Sequence, residues 1–365
     1  MRLVVKIGTS SITHEEGEIS GPAIAKLCAE VAGLHGQGHE VAVVTSGAIA
    51  AGLPALGLDG GRPRDLARLQ AVSAVGQSRL MATYDAALAS HGLVGGQVLL
   101  APLDFVHRSQ YLHARQTLTH LFALGVVPVV NENDAVADDE IRYGDNDRLA
   151  ALVANLVAAD LLVLLTDAPG VLSADPRFDA TGSLIAEIVE IDHELERVAG
   201  GTGSARGSGG MVSKLAAAKL ASWSGIRVVI ADARRPSVLA GALAGDADVG
   251  TTVRPRQGRL PARKLWIAFA APAAGTVEVD EGARRALVEA KTSLLPAGVV
   301  AVHGTFEAAQ AVEVCGPDGK VFAKGLAQLG SAQLARLAGR RTAELPEGVV
   351  HEVIHRDDLV TLPAG

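Results

Sequence analysis

The chain has 365 residues, of which 48% are hydrophobic, 20% charged and only 3% aromatic, so it is long enough for two domains with aliphatic, alanine-rich cores. A net charge of -7 argues against a broad electrostatic surface for nucleic acid, and no apolar run is long enough to span a membrane, so a cytoplasmic protein acting on small molecules is expected. Cys28 and Cys315 form neither a disulfide framework nor a metal-ligand spacing and read as buried thiols, and the eleven histidines show no HExxH-type pair.

Leu3-Val4-Val5 reads as a buried first strand, with Lys6-Ile7-Gly8-Thr9-Ser10 at its carboxyl end. Ligands of open α/β sheets collect beyond the carboxyl ends of the strands. A lysine, a glycine that admits close backbone approach and two hydroxyls suit phosphate there. Read locally, they also suit a snorkelling lysine and a plain turn. Ser20 before Gly21-Pro22, then Ile24, Leu27, Val31 and Leu34, predicts a helix on the sheet that Gly36 and Gly38 end. Residues 41–45 form the expected second strand, and Ser46-Gly47-Ala48 follows, either gripping an anion through backbone N–H groups or capping a helix.

Residues 53–64, rich in glycine and proline, read as a surface loop. A long helix is expected over about 65–89, with the apolar stripe Leu66, Leu69, Val72, Leu80, Tyr84 and Leu88 flanked by Gln70, Gln77 and Arg79. No catalytic residue is expected on it. A strand at 96–100, a helix at 109–124 and a strand at 126–130 continue the alternation of a doubly wound α/β sheet.

The most polar loop follows: Asn131-Glu132-Asn133-Asp134, Asp138-Asp139-Glu140 and Tyr143-Gly144-Asp145-Asn146-Asp147. Its carboxylates and amides suit either a divalent cation or recognition of an amino group and an adjacent polar substrate. Asp138 to Glu140 read as solvated charge, and Asp147 is equally placed to cap the helix through Leu149, Leu152 and Leu156. The spacing departs from the twelve-residue calcium loop, which favours magnesium carried in with a nucleotide.

A strand at 161–165 ends in Thr166-Asp167, and residues 170–177 read as a hairpin-like excursion. The glycine-dense stretch 200–210 runs into Met211-Val212-Ser213-Lys214, opening a helix through Leu215, Ala218 and Leu220. Glycine N–H groups before a helix and a lysine in its first turn suit phosphate, although the spacing is neither the Rossmann nor the Walker A pattern. A strand at 227–231 is expected to close the series. The basic, proline-containing segment 253–272, with Arg254-Pro255, Arg256, Arg259, Arg263 and Lys264, reads as a linker between domains 1–252 and 273–365. Short strand-like runs at 276–279, 299–302, 311–314 and 321–323 make the second domain small and β-rich. With nine Lys and Arg against twelve Asp and Glu there, RNA is not an expected partner.

Together these pieces resemble the amino acid kinase superfamily, and within it the glutamate 5-kinase family, over nearly the whole chain. The resemblance rests on Val5-Lys6-Ile7-Gly8-Thr9-Ser10, Thr45-Ser46-Gly47-Ala48, Asn131-Glu132-Asn133-Asp134, Tyr143-Gly144-Asp145-Asn146-Asp147, Thr166-Asp167, and Gly209-Gly210-Met211 with Lys214. Arg263-Lys264-Leu265-Trp266-Ile267-Ala268 matches the segment that joins such kinases to a C-terminal PUA domain. The implied fold is a three-layer αβα sandwich with a mainly parallel open sheet over 1–252, followed by a PUA-like domain over 273–365.

The activity implied by the resemblance is ATP-dependent phosphorylation of the side-chain carboxylate of L-glutamate to L-glutamyl 5-phosphate, the first step of proline biosynthesis. Lys6 and Lys214 would act on the transferred phosphoryl group, with Asp147 orienting them. Lys6, Gly8, Thr166, Asp167, Ser208, Gly209, Gly210, Met211, Val212, Ser213 and Lys214 would bind ATP, and Ser46, Asp134 and Asn146 would hold glutamate. Magnesium would come with ATP rather than on protein ligands. Proline is expected to inhibit at or near the glutamate site. A homo-oligomer, dimer or tetramer, is expected through the kinase domain, with handover of the labile product to glutamyl phosphate reductase. The PUA pattern is broken at Phe306-Glu307-Ala308-Ala309-Gln310, where a Gly-Asp pair is common, which again disfavours RNA.

The residue inventory agrees with this chemistry. A glutamate side chain, with a free pKa of ~4.3, is already a nucleophilic carboxylate at neutral pH and needs no general base. Alignment of two anions and stabilisation of charge on the equatorial oxygens are required instead, which lysines, N–H groups and magnesium supply.

Overall fold

The computed structural model describes residues 1–14, 18–58, 63, 65–105, 107–136, 146–174, 182–192, 195, 210–256, 260–344 and 351–362. The chain divides into two compact units, Met1–Arg259 and Leu260–Gly365.

Among the described residues, eight strands form the first unit's sheet: β1 Arg2–Ile7, β2 Glu40–Thr45, β3 Gly95–Leu100, β4 Val127–Glu132, β5 Leu161–Thr166, β6 Glu187–Ile188, β7 Arg227–Asp232 and β8 Thr251–Val253. Their order is β3-β4-β2-β1-β5-β7-β8-β6, with β1 central and parallel to both β2 and β5. Only β7 and β8 pair antiparallel among the strands described. Nearly continuous burial along β1, β2 and β5 explains their unbroken Val and Leu runs, because a parallel sheet is covered on both faces.

Strand alternation divides the chemistry of β1 between the two faces. Leu3, Val5 and Ile7 enter one core with Ile24, Leu27 and Val31 of α2 (Gly21–Gly36) and Leu80, Tyr84 and Leu88 of α4 (Leu66–Ala89). Each fully buried aliphatic side chain contributes about 1.5–3 kcal/mol. Val4 and Lys6 face the other way, where α6 (Asn146–Leu156) lies across β1 and packs on α7 (Met211–Trp223). Cys28 is buried within the first core, and burial pushes its thiol up to about 12, so it is an inert packing residue.

Several strands run past their apolar stretches. β1 includes Lys6 and Ile7, β4 includes Asn131 and Glu132, and β5 includes Thr166, because ladder pairing and burial continue through the polar residues. β7 does not close the sheet, since β8 and β6 extend beyond it. α3 (Ala48–Ala55) passes through Pro54 and occupies the start of the expected 53–64 loop, most of whose remainder lies outside the described residues. The excursion after β5 returns through an antiparallel bridge between Leu172 and Leu184.

The two helices α3 and α4 touch backbone to backbone. A Cβ on Gly76 would fall 1.7 Å from the Ala48 carbonyl oxygen, and one on Gly52 would fall 2.1 Å from that of Val72. Only glycine fits at either point.

Among its described residues the second unit holds a five-stranded sheet: β9 Ala273–Val279, β10 Val299–Gly304, β11 Ala311–Cys315, β12 Val321–Ala327 and β13 Ile354–Thr361, in the order β10-β9-β11-β12-β13. Val277, Leu287, Phe306, Val314, Phe322 and Ile354 belong to its core. β13 escaped the sequence pattern because His355-Arg356-Asp357-Asp358 interrupts its apolar character. Of the expected linker, Val253 ends β8 in the first unit, whereas residues 262–270 are helical in the second. In the Glu307 to Gln310 segment, Ala309 adopts φ +69°, a left-handed conformation that glycine adopts at no steric cost.

Gly76→Ala should force α4 away from α3 and lower stability by about 2 kcal/mol or more. Chemical denaturation checks this; an unchanged unfolding midpoint would contradict the close contact.

Candidate active site

Three charged side chains meet on the α6 face of the sheet. Lys6 comes from β1, between Val44 of β2 and Leu164 of β5 in the ladder. Asp147 lies in the first turn of α6, anchored by buried Leu149, Leu152 and Leu156. Lys214 lies in the first turn of α7, beside buried Leu215 and Ala218. Lys6 Nζ is 2.6 Å from Asp147 Oδ1, and Lys214 Nζ is 3.1 Å from Asp147 Oδ2. Ser213 Oγ lies 2.8 Å from the same Oδ2.

Lys6 is 4% exposed, Lys214 5% and Asp147 0%, which excludes a lysine snorkelling from a strand end. Nor does Asp147 act as a simple helix cap, because its carboxylate is turned onto the two lysines. Burial alone would push the Asp147 carboxyl up, but the charges of Lys6 and Lys214, with hydrogen bonds from Lys6 and Ser213, outweigh it and hold the group below the usual carboxylate range. The carboxylate stays ionised and the three side chains carry a net charge of +1. A buried site of that sign favours an anion.

Gly8 follows Lys6 by two residues, and a Cβ there would stand 3.5 Å from Lys6 Nζ, so the glycine leaves the amine uncrowded on that side. α7 is preceded by Gly210 as its N-cap, which offers no side-chain cap, and Ser213 Oγ is also 2.9 Å from the Gly210 carbonyl oxygen. Its first N–H groups are suited to phosphate oxygens. At the end of β5, Thr166 Oγ1 donates to Asp167 Oδ1 at 3.2 Å, and Arg234 Nη2 donates to the Asp167 carbonyl at 2.9 Å. Thr166, Asp167, Gly210, Met211, Val212 and Ser213 are thus described; Ser208 and Gly209 lie outside the described residues, as do Asp138 to Asp145.

A second, neutral cluster adjoins the lysines through Asn146, the neighbour of Asp147. Asn146 Nδ2 donates to Ser46 Oγ at 3.0 Å, joining the start of α6 to the turn after β2. Gly47 makes that turn possible with φ +103°. Asn146 Oδ1 is buried and has no hydrogen-bond partner among the described residues, which makes it an acceptor suited to an ammonium group. Asp134 is held separately: Ser73 Oγ of α4 donates to its Oδ2 at 2.5 Å.

Sequence reading missed the part played by α4. Gln77 does not flank its stripe but lies, with Ser73, on the buried face, with Leu69 and Val72 before them and Leu80 after. The available signal was a pair of polar residues at i and i+4 within an apolar period, since buried polar groups need partners.

A mainly parallel sheet with two lysines sharing one buried carboxylate on one face is suited to an anionic ligand. Residues 1–232 match the model of the amino acid kinase family, and residues 275–349 match that of the PUA domain. The chain belongs to the amino acid kinase family, a family of phosphotransferases. Relatives matching it over nearly full length are glutamate 5-kinases. The one from Pelobacter propionicus is 44% identical over 99% of this chain and 97% of its own, and that from Methylibium petroleiphilum is 47% identical over 98% and 97%. Among solved structures, carbamate kinase from Giardia lamblia bound to AMP-PNP superimposes with a TM-score of 0.51 at 16% identity, over 70% of this chain and 98% of that one. That likeness concerns the fold alone.

Asp147→Asn should remove the carboxylate that Lys6 and Lys214 share and destabilise the first unit by about 3–5 kcal/mol at neutral pH. The folded-state pKa of Asp147 lies below that of a free aspartate, ~3.9. Its contribution is therefore complete above that value and lost as pH falls through the folded-state pKa. Denaturation midpoints measured against pH should show the acid limb of the wild type flattened in Asp147→Asn; identical pH profiles would refute the ion-pair account.

Proposed function

We propose that this chain transfers the γ-phosphoryl group of ATP to the side-chain carboxylate of L-glutamate, yielding L-glutamyl 5-phosphate and ADP, the opening reaction of proline synthesis. The carrying observation is the Lys6-Asp147-Lys214 cluster, an excess positive charge buried beside the amide and hydroxyl of Asn146 and Ser46. The names of the full-length relatives support the choice of acceptor.

In this reading a glutamate carboxylate oxygen forms a bond to the γ-phosphorus while the bond from that phosphorus to the β–γ bridging oxygen breaks, and the electron pair leaves with ADP. No proton needs to be removed, which fits a centre built on lysines, with no histidine among its described residues. Lys6 and Lys214 face the oxygens on which charge accumulates, and Asp147 holds the two amines at fixed positions so that no reorganisation is needed during transfer. Gly8, Thr166, Asp167 and the N-terminus of α7, with the adjoining Ser208 and Gly209, would hold the nucleotide. Magnesium bound to the nucleotide phosphates supplies further charge neutralisation.

Ser46, Asn146 and Asp134 bring one hydroxyl, one amide oxygen without a partner among the described residues and one carboxylate, a set that recognises an amino acid by its ammonium and carboxylate groups. Proline carries the same two groups, so inhibition by proline would arise from competition for this cluster.

Incubation with ATP, magnesium, glutamate and hydroxylamine should yield glutamyl hydroxamate, with aspartate and N-acetylglutamate as poor substitutes; product from either of those and none from glutamate would refute the assignment. Lys6→Ala and Lys214→Ala should each lower kcat on the order of 100-fold or more. Steady-state kinetics should also show Asn146→Ala raising KM for glutamate well above any change for ATP; equal changes would count against its placement.

A further inference from the structure

The geometry points to Gln77 as a positioning residue for the glutamate side of the site, acting through Asn131; this rests on the glutamate kinase reading above. Asn131 and Glu132 end β4, and Asp134 follows two residues later. α4 grips this short stretch at two points one helical turn apart: Ser73 Oγ donates to Asp134, and Gln77 Oε1 accepts from Asn131 Nδ2 at 2.8 Å. Residues i and i+4 of a helix share a face, so the two grips act along one line.

The direction of each amide is fixed by its neighbours. Glu132 N donates to Asn131 Oδ1 at 2.9 Å, so Asn131 must present Nδ2 to α4. Gln77 must then answer with Oε1. Its Nε2 is left buried, with no hydrogen-bond partner among the described residues. Leaving a buried N–H unmet is unfavourable, and a methionine would fill similar space without one. Gln77 is therefore better explained by the acceptor it offers Asn131 than by packing.

The same turn of α4 also sets the other wall. Gly76, next to Gln77, is the residue whose close approach to Ala48 seats α3, and α3 starts immediately after Ser46-Gly47. Ser73, Gly76 and Gln77 thus tie the turn after β2 and the end of β4 to a single rigid element. Spacing between Ser46 and Asp134 is then a property of α4, and loss of the Gln77 grip should loosen recognition of glutamate while leaving the nucleotide side unaffected.

The test is steady-state kinetics of the full chain, with thermal unfolding of each variant. Gln77→Met should raise KM for glutamate about tenfold or more with KM for ATP within about twofold, a split that a general loss of structure would not produce. Gln77→Glu, which keeps the acceptor oxygen, should stay within about threefold of the wild type. In an Asn131→Ala background, Gln77→Met should add nothing, because its only route to the substrate is gone. Additive effects, an unchanged glutamate KM, or equal shifts for both substrates would overturn the inference. Where Gln77→Met itself lowers the unfolding midpoint, Gln77→Glu decides: a KM near the wild type supports the role, and one raised as far as in Asn131→Ala overturns it. Wild-type turnover of glutamate with an unaffected Gln77→Met defeats this inference alone, whereas a wild type that makes no glutamyl hydroxamate defeats the functional reading with it.

Discussion

Everything at the centre of the first unit depends on one buried carboxylate holding two lysines that the sequence keeps more than two hundred residues apart. Taking three charges out of water is costly, several kcal/mol for each ion, and mutual attraction repays it only when geometry is fixed. Here the geometry is fixed by secondary structure: the middle strand of a sheet supplies Lys6, and the first turns of two packed helices supply Asp147 and Lys214. An apolar triplet of similar volume would stabilise the fold as well or better. The charges are best understood as preorganised for an anion that arrives from outside, which is the arrangement phosphoryl transfer requires.

The sheet does the rest of the placement. Parallel strands deliver their carboxyl ends to one edge, so Ile7-Gly8, Thr45-Ser46, Asn131-Glu132 and Thr166-Asp167 arrive side by side although they are scattered through the sequence. Asn146 and Asp147, adjacent in the chain, divide the labour between the neutral cluster with Ser46 and the charged cluster with the lysines. In the proposed reading, the substrate ammonium group and the transferred phosphoryl group are held by neighbouring residues of one helical turn, a short and stiff connection.

Much of this was legible in the sequence, for physical reasons. The valine and leucine runs announced strands buried on both faces, and Lys6, Ser46 and Thr166-Asp167 at the ends of three runs pointed to the edge where ligands of such sheets gather. What stayed hidden were facts of pairing. Nothing local tells that Lys6 lies inside its strand, because its buried charge there is matched by Asp147, which belongs to a distant helix. Asn131 and Glu132 likewise read as loop, since their burial depends on partners elsewhere. Ser73 and Gln77 were masked by the apolar stripe they interrupt, and β6 and β8, of two and three residues, were too short to register. In the second unit, β13 was hidden by four polar residues in a row.

The central claim is that the two lysines act on the transition state more than on bound ATP. It is tested most directly by comparing wild type with Lys214→Ala for two affinities: ATP alone, and ADP with aluminium fluoride in the presence of glutamate, a mimic of the transferring phosphoryl group. The account predicts that the substitution weakens the mimic by about the same factor as it lowers kcat, on the order of 100-fold, while ATP affinity falls far less. Equal losses for the two ligands would contradict it.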